Sequence, residues 1–535
     1  MRAGPGFSPQ YTRDLIFALD LCGEKVYHSH RNVPNPFTFL GNKVDGADRM
    51  TDDISSEFDY VDTGDARRNR RVKKTGTRLA ESPKLSIASA VADRSEREAV
   101  YELFRNDKVT PESILDSHFQ KTEERASEFD VLLFLQDTTE FNLTRPHKQM
   151  KKLGTTSAAN IFGMYLHLML ISNEHGTPLG LTSAKMWTRD PNRQTGKKRK
   201  YANKSNSPEE RESYRWQEGA RHTLEYAKAH PNQTCVCIGD SESDMLSVYA
   251  LPREEAPNYH FIVRGYQKRY VRNKDAQTSE LCTLREELAK QDSLAKFTVK
   301  SRTRTTTHQA DGPRKLPRPA RETELEVRAA ALNFHKAPSK WKGLDIGVPV
   351  NVVYVSETEA EQLESIKRKE APIEWILITS LPIDTTEDCL RIVQYYKTRW
   401  QIEIYFRTLK QGCAVEERRL GEYSSYLNCL SCYMIIAWHI MYIRYMMDSH
   451  PDESCELVFT RDEWQAVMFY ATEGAKLPRK PPTLEEFVYL IAKLGGYKKN
   501  KKFPPGVQMI WEGLTKMNVV VQSWILFKRK GRKQE

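Results

Sequence analysis

This chain lacks an unbroken apolar run of membrane-spanning length. Its most hydrophobic stretch, Leu427 to Met447, is interrupted by Asn428, Ser431, His439 and Arg444. That pattern favours a buried amphipathic helix over a membrane span. The N-terminus lacks the charged-then-apolar pattern of a signal peptide. Nine cysteines are scattered through 535 residues. Cys429 and Cys432 form a lone C-x-x-C inside an apparent helix, with no second such motif to complete a zinc site. Reduced thiols in a cytosolic protein are expected. No internal repeat is visible.

Positive charge is in excess: 82 Lys and Arg against 71 Asp and Glu, a net +11. That balance suits a polyanionic partner. Length predicts roughly two to four domains with ample material for a core. Residues 1–49, rich in Gly, Pro, Asn and Asp, read as an extension that is mostly loop, with Met50 a candidate start. Residues 50–125 read as a small helical bundle. Arg67, Arg68, Arg70, Arg71, Lys73, Lys74 and Arg78 crowd one segment of it, and Thr110-Pro111-Glu112-Ser113 is a helix start. So dense a cluster beside a packed bundle favours nucleic acid over a merely solvated face.

An α/β pattern follows. Val131–Gln136, Ile161–Ile171, Pro178–Thr182, Thr234–Gly239 and Tyr259–Val263 read as strands, and Pro208–Ala229 and Ser243–Leu251 as helices. The basic stretch Arg193–Lys204 reads as an exposed loop. Residues 265–372 read as a β-rich insertion with strands at Lys296–Val299, Glu324–Ala329 and Val348–Val355 around a Pro- and Arg-rich span, Lys300–Arg321. Trp375–Ser380 returns to a buried strand. Beyond Tyr423 the pattern is helical: Tyr426–Met447, Arg461–Thr472, Leu484–Leu494 and Val507–Leu526.

Glycine and proline are also absent between Thr385 and Gln411. That permits one long helix, started by a capping box at Asp384 and Glu387 and stopped at Gly412. On it Tyr396, Arg399, Glu403 and Lys410 fall within an arc of roughly 80°, with Arg407 beside them. Two interpretations stand: a solvated face of ordinary (i, i+4) ion pairs, or a phosphate-contacting face with one acid in its middle. Asp137 closes the run VLLFLQ and Asp240 closes TCVCIG. Singly each suits a turn or helix cap. Carboxyl ends of strands are also where ligands bind in α/β sheets. Three acids without a thiol or imidazole cluster suit Mg²⁺ or Mn²⁺, in a pair of ions that serves phosphodiester chemistry.

The spacing Tyr396–Arg399–Glu403–Lys410 resembles the Y-(2)-R-(3)-E-(6)-K signature of bacterial cut-and-paste DDE transposases of insertion-sequence family four, most of all the transposon-five type. Leu135-Gln136-Asp137-Thr138-Thr139, the Gly239–Asp244 segment, Phe261-Ile262-Val263-Arg264, Trp375, Leu494-Gly495-Gly496-Tyr497, Ile510-Trp511-Glu512-Gly513 and the Gly64–Arg71 segment extend the resemblance over about residues 55–525. It implies an α/β, ribonuclease-H-like core at 126–264 and 373–420, interrupted by the β-rich insertion at 265–372. A helical DNA-binding domain at 50–125 and a C-terminal helical dimerisation region at 421–535 flank it. Asp137, Asp240 and Glu403 would be the metal-binding catalytic triad, with Tyr396, Arg399, Lys410, Arg407 and Arg264 on DNA. Trp375 resembles a tryptophan on which a flipped base stacks; a core-edge aromatic is the alternative. Arg67, Arg68 and Arg71 would recognise the end sequence. Ser241 stands where a relative of this family carries arginine, and Arg407 replaces a lysine.

The expected activity is therefore DNA transposition. It would comprise binding of inverted terminal repeats by a homodimer, cleavage through a hairpin, and joining to target DNA, in the bacterial cytoplasm at the nucleoid and with no membrane partner. Rivals are a metal-dependent nuclease that does not join ends, and a non-catalytic DNA-binding protein derived from a transposase.

Overall fold

The computed structural model describes residues 54–531, apart from 92, 146–148, 157–159, 191–208, 274–281, 302–319, 336–346, 369, 371, 475 and 499–503. The extension at 1–49 and nearly all of both basic loops lie outside the described residues. The described chain falls into two compact units. One comprises 54–238, 253–259 and 398–531, and the other 239–252 and 260–397.

In the first unit, strand β1 (Val131–Asn142) pairs antiparallel with β2 (Phe162–Asn173), and β2 with β3 (Pro178–Trp187). The other edge of β1 pairs parallel with β4 (Thr234–Gly239), in a register that sets Leu135 opposite Ile238. The connection to β4 carries helix Tyr214–Ala229, as a parallel neighbour requires a crossover. Leu132 to Gln136 are all buried, the mark of a strand covered on both faces. The strand does not stop at Asp137, as the apolar run had implied. It continues to Asn142 because β2 supplies hydrogen-bonding partners along its whole length.

Short helices precede the sheet. Helix Ala66–Ala80 starts at Asp65, whose carboxylate accepts the Arg67 and Arg68 N–H groups. Helix Pro111–Ala126 starts at Thr110 with a capping box to Ser113 and Pro at its first turn. The helix expected at 426–447 runs Tyr423–Ser449. It is long and apolar enough to cross a membrane, yet 94% of its most apolar window is buried inside the protein. It is buried on nearly every face, not amphipathic, because protein covers it on several sides. Asn428 Nδ2 donates to the Phe104 and Val109 carbonyls, and Trp438 Nε1 to the Pro178 carbonyl.

A buried polar joint ties these layers together. Glu57, fully buried, receives Arg125 Nη1 at 2.7 Å and the ring of His118. Arg125 also lies 4.3 Å over the Trp438 ring. His118 Nε2 accepts the Leu181 N–H, so Nδ1 carries the proton donated to Glu57, and the ring is neutral. Burial keeps its pKa low, against the pull of Glu57. Burial alone pushes the Glu57 carboxyl up, but the Arg125 charge and the hydrogen bonds outweigh it and hold it at about 2. With neutral His118, Arg125 is the decisive partner.

The last two long helices, Leu484–Leu494 and Val507–Gly531, approach unusually closely. A Cβ at Gly495 would lie 2.0 Å from the Met509 carbonyl oxygen, and one at Gly513 2.0 Å from that of Ile491. Both glycines belong to the two C-terminal motif blocks, which are therefore the places where a helix pair touches.

The second unit is β-rich. Strand β5 (Tyr259–Arg264) pairs with β10 (Glu374–Thr379), then β9 (Val348–Glu357), β8 (Arg321–His335) and β6 (Tyr270–Asn273), with β7 (Ala295–Ser301) on the other part of β8; every pairing is antiparallel. Helix Thr386–Thr398 follows β10. Its start is capped one residue later than expected: the Thr385 N–H reaches Asp388 Oδ2 and the Asp388 N–H reaches Thr385 Oγ1, both at 3.1 Å.

Glu57→Gln should cost about 3–5 kcal/mol, because it leaves the Arg125 charge buried without its counter-ion. Since the Glu57 pKa is depressed from 4.5 to about 2, the wild-type protein should lose this stabilisation as pH falls from 4.5 towards 2. Urea denaturation across that range should show a steeper acid dependence for wild type than for the variant.

Candidate active site

The long helix expected at 385–411 is two α-helices and a wider turn. Helix Thr386–Thr398 ends before Arg399, helix Trp400–Arg407 begins after it, and Thr408–Gly412 form a π-helical turn. No glycine or proline lies at the break, and Arg399 itself keeps right-handed helical backbone angles, φ −50° and ψ −30°. Its side chain turns onto two acids of the first unit. Nη1 lies 3.1 Å from Asp137 Oδ2 on β1, and Nη2 lies 2.7 Å from Glu403 Oε1. The Arg399 side chain is 8% exposed and the two acids about a fifth. Glu403 occupies the first turn of its helix, where the dipole favours a carboxylate.

The π turn has a consequence for Lys410. The Cys413 N–H bonds back to the Thr408 carbonyl at 2.9 Å. Lys410 Nζ donates to the Glu140 carbonyl on β1 and lies 5.4 Å over the Phe141 ring. Arg399 and Lys410 thus fasten the signature segment to β1 at two points. Arg407 is exposed.

A directed chain of hydrogen bonds fixes β1 on either side of Asp137. Arg215 Nε donates to Thr138 Oγ1 at 2.7 Å, and Thr138 Oγ1 meets His167 Nδ1 at 2.9 Å. His167 Nε2 meets Gln136 Oε1 at 3.2 Å, and Gln136 Nε2 reaches Cys237 Sγ at 3.1 Å. One proton assignment satisfies every link and makes His167 neutral. That agrees with a pKa held down at about 3 by burial and then by Arg215. Sequence reasoning missed this chain, because 77 residues separate Arg215 from Thr138 and no local pattern announces it.

Asp240 directly follows β4. Its carboxylate accepts the Glu242 N–H at 2.8 Å and caps the 3₁₀ turn Ser241–Ser243. In the ladder Leu135 faces Ile238. Asp244, also missed, is fully buried in the second unit. It takes the Tyr249 hydroxyl, the Tyr266 and Gln267 N–H groups and Arg269, so it braces the loop that follows Asp240.

Among the described residues no group of three His, Cys, Asp or Glu is placed to hold a metal ion. Within the first unit Asp137 and Glu403 meet at Arg399, and Asp240 belongs to the second unit. The donor set still fits a hard cation: two carboxylates from different elements converge on one positive charge.

Trp375 and Tyr396 belong to the second unit. Both are buried, with ring centroids 6.2 Å apart. Arg264 is half-buried opposite Leu377 in the β5–β10 ladder. In the first unit Arg67 and Arg71 are exposed on helix Ala66–Ala80, while Arg68 turns back to the Thr63 carbonyl at 2.7 Å.

Comparison with known families agrees with this layout. A transposase DNA-binding model matches residues 50–109, a transposase DDE domain matches 217–425, and a transposase Tn5 dimerisation domain matches 435–530. A ribonuclease-H-like α/β core between helical flanks, carrying a DDE domain, defines a DNA transposase. The chain belongs to the Tn5-type DDE transposases. Asp240 and Glu403 lie inside the matched DDE stretch, and Asp137 lies before it. A cryo-EM structure of a piggyBac transposase synaptic complex with hairpin DNA is 10% identical. It aligns over 86% of this chain and 73% of that one with a TM-score of 0.33.

Trp375→Ala should lower stability by about 3–5 kcal/mol, as expected for emptying a buried aromatic site. Trp375→Phe should recover most of that loss. A stability for the alanine variant equal to wild type in denaturant titration would show that the ring is not part of the core.

Proposed function

We propose that this transposase cleaves and joins DNA at the ends of its own element, with Asp137, Asp240 and Glu403 as the acids of the reaction. The observation that carries the reading is the convergence of Asp137 and Glu403, respectively 262 and 4 residues from Arg399, on a single guanidinium. Such a pair of carboxylates is costly to bring together unless cations serve it. Asp137 and Glu403, joined by Asp240, would hold divalent ions, Mg²⁺ or Mn²⁺. These supply an activated oxygen nucleophile and stabilise the leaving oxygen.

The chain's own residues do the rest. Lys410 and Arg399 fix the signature segment to β1, so that Glu403 is presented at a set height beside Asp137. Exposed Arg407 would meet a phosphate, and buried Tyr396 and half-buried Arg264 would have to be uncovered to add to that contact. Exposed Arg67 and Arg71, in the stretch matched by the DNA-binding model, would contact the end DNA; Arg68 would act by holding the start of that helix. Hairpin formation, with Trp375 receiving an extruded base, requires that ring to leave its buried place.

Association of two copies is supported by the C-terminal helix. Val519, Leu526 and Phe527 are exposed on it, Phe527 by 74%, within the stretch matched by the dimerisation model. Apolar side chains so grouped mark an interaction surface.

Three measurements test this. With linear DNA carrying the inverted repeats that flank the gene, and Mg²⁺ present, wild type should give cut, hairpin and joined products. Glu403→Gln and Asp137→Asn should reduce cutting by about 10³-fold, several kcal/mol of lost charge stabilisation, with end binding unchanged. Cutting by Glu403→Gln at the wild-type rate would refute the site, and cutting without joined product would identify a nuclease. Arg67→Ala with Arg71→Ala should flatten the slope of log K against log salt by about 0.9 for each phosphate no longer neutralised. Leu526→Asp with Phe527→Asp should shift any dimer in sedimentation towards monomer.

A further inference from the structure

Arg399 occupies the position in charge space that a cation shared by Asp137 and Glu403 must take. Its two terminal nitrogens are divided between the two acids, at 3.1 and 2.7 Å, and its side chain is only 8% exposed. A guanidinium fork is equally suited to carboxylate and to phosphate oxygens.

We propose that Arg399 is an internal counter-ion that competes with the divalent cation for Asp137 and Glu403. In the DNA-free protein it holds the two acids in place and keeps their affinity for metal low. When DNA is seated, a phosphate offers the guanidinium an alternative partner, and the acids become available to the metal. Metal and DNA then strengthen each other's binding by the same factor, as linkage demands. Arg399 is a positioning residue that couples substrate arrival to readiness of the site. This rests on the reading above that the two acids bind divalent ions, and it goes beyond phosphate contact alone.

If Arg399 covers the acids nine-tenths of the time, it weakens their apparent metal affinity about tenfold. The test uses the full-length protein without DNA and Mn²⁺ as probe. Free Mn²⁺ is followed by electron paramagnetic resonance, and the melting temperature is followed as Mn²⁺ is added. Arg399→Gln should bind Mn²⁺ about tenfold more tightly than wild type and gain more thermal stability from it. Adding Glu403→Gln to that variant should abolish the gain. Arg399→Lys, which cannot bridge both acids, should lie between and serves if the glutamine variant does not fold. A folded Arg399→Gln or Arg399→Lys with wild-type or weaker Mn²⁺ affinity overturns the proposal, as does a gain that survives loss of Glu403. Cleavage by wild type, lost in Glu403→Gln, separates these outcomes: if it stands while Mn²⁺ affinity is unmoved, only the counter-ion role fails.

Discussion

Two carboxylates cannot share a half-buried place without a positive charge between them, and this constraint organises the signature segment. Asp137 arrives on a strand and Glu403 on a helix, and Arg399 closes the gap at 3.1 and 2.7 Å. The helix break at Arg399, the π turn that sends Lys410 to the Glu140 carbonyl, and the half-exposure of β1 from Asp137 onward all surround that junction. Backbone irregularity sits where the charges meet, in a sequence whose local propensities contain no reason for it.

Beneath the acids the support is a polar chain that Arg215 anchors at one end. Gln136, Thr138 and His167 form a chain in which each donor has an acceptor, and burial keeps His167 neutral across the working pH range. Satisfied networks of this kind specify one arrangement of a core. The strand bearing Asp137 is therefore held from its other face, and its carboxylate answers to cations. At Glu57 the solution differs: a full charge is buried, and Arg125 compensates it directly.

Some of this is legible in the sequence, and the rest is hidden for physical reasons. Strands of continuous apolar residues, such as Thr234–Gly239, and capped amphipathic helices, such as Leu484–Leu494, are closely bounded because their signals are local. The signature spacing leads to Glu403 and Arg399, yet a period of 3.6 cannot foresee that Arg399 also pairs with Asp137, 262 residues away. The strand of Asp137 looks shorter in sequence than in space because half-buried Thr138 to Glu140 lack an apolar period. Helix Tyr423–Ser449 looks amphipathic in sequence because its polar residues, Asn428 above all, face protein carbonyls and not water. Asp244 and Arg215 act through partners distant in sequence, which a single chain read locally does not display.

That apolar helix has a consequence for how such proteins change over time. Its flank is closed by carbonyls of the N-terminal bundle, at Phe104 and Val109, and by Arg125 over Trp438. The segment that carries the basic helix is thus part of the shell around the deepest hydrophobic element. Exchanging it for a bundle with another DNA preference would uncover greasy surface unless the graft brought matching carbonyls and a matching glutamate at position 57. New end specificity in this lineage is easier to reach by altering exposed arginines one at a time than by swapping the module whole.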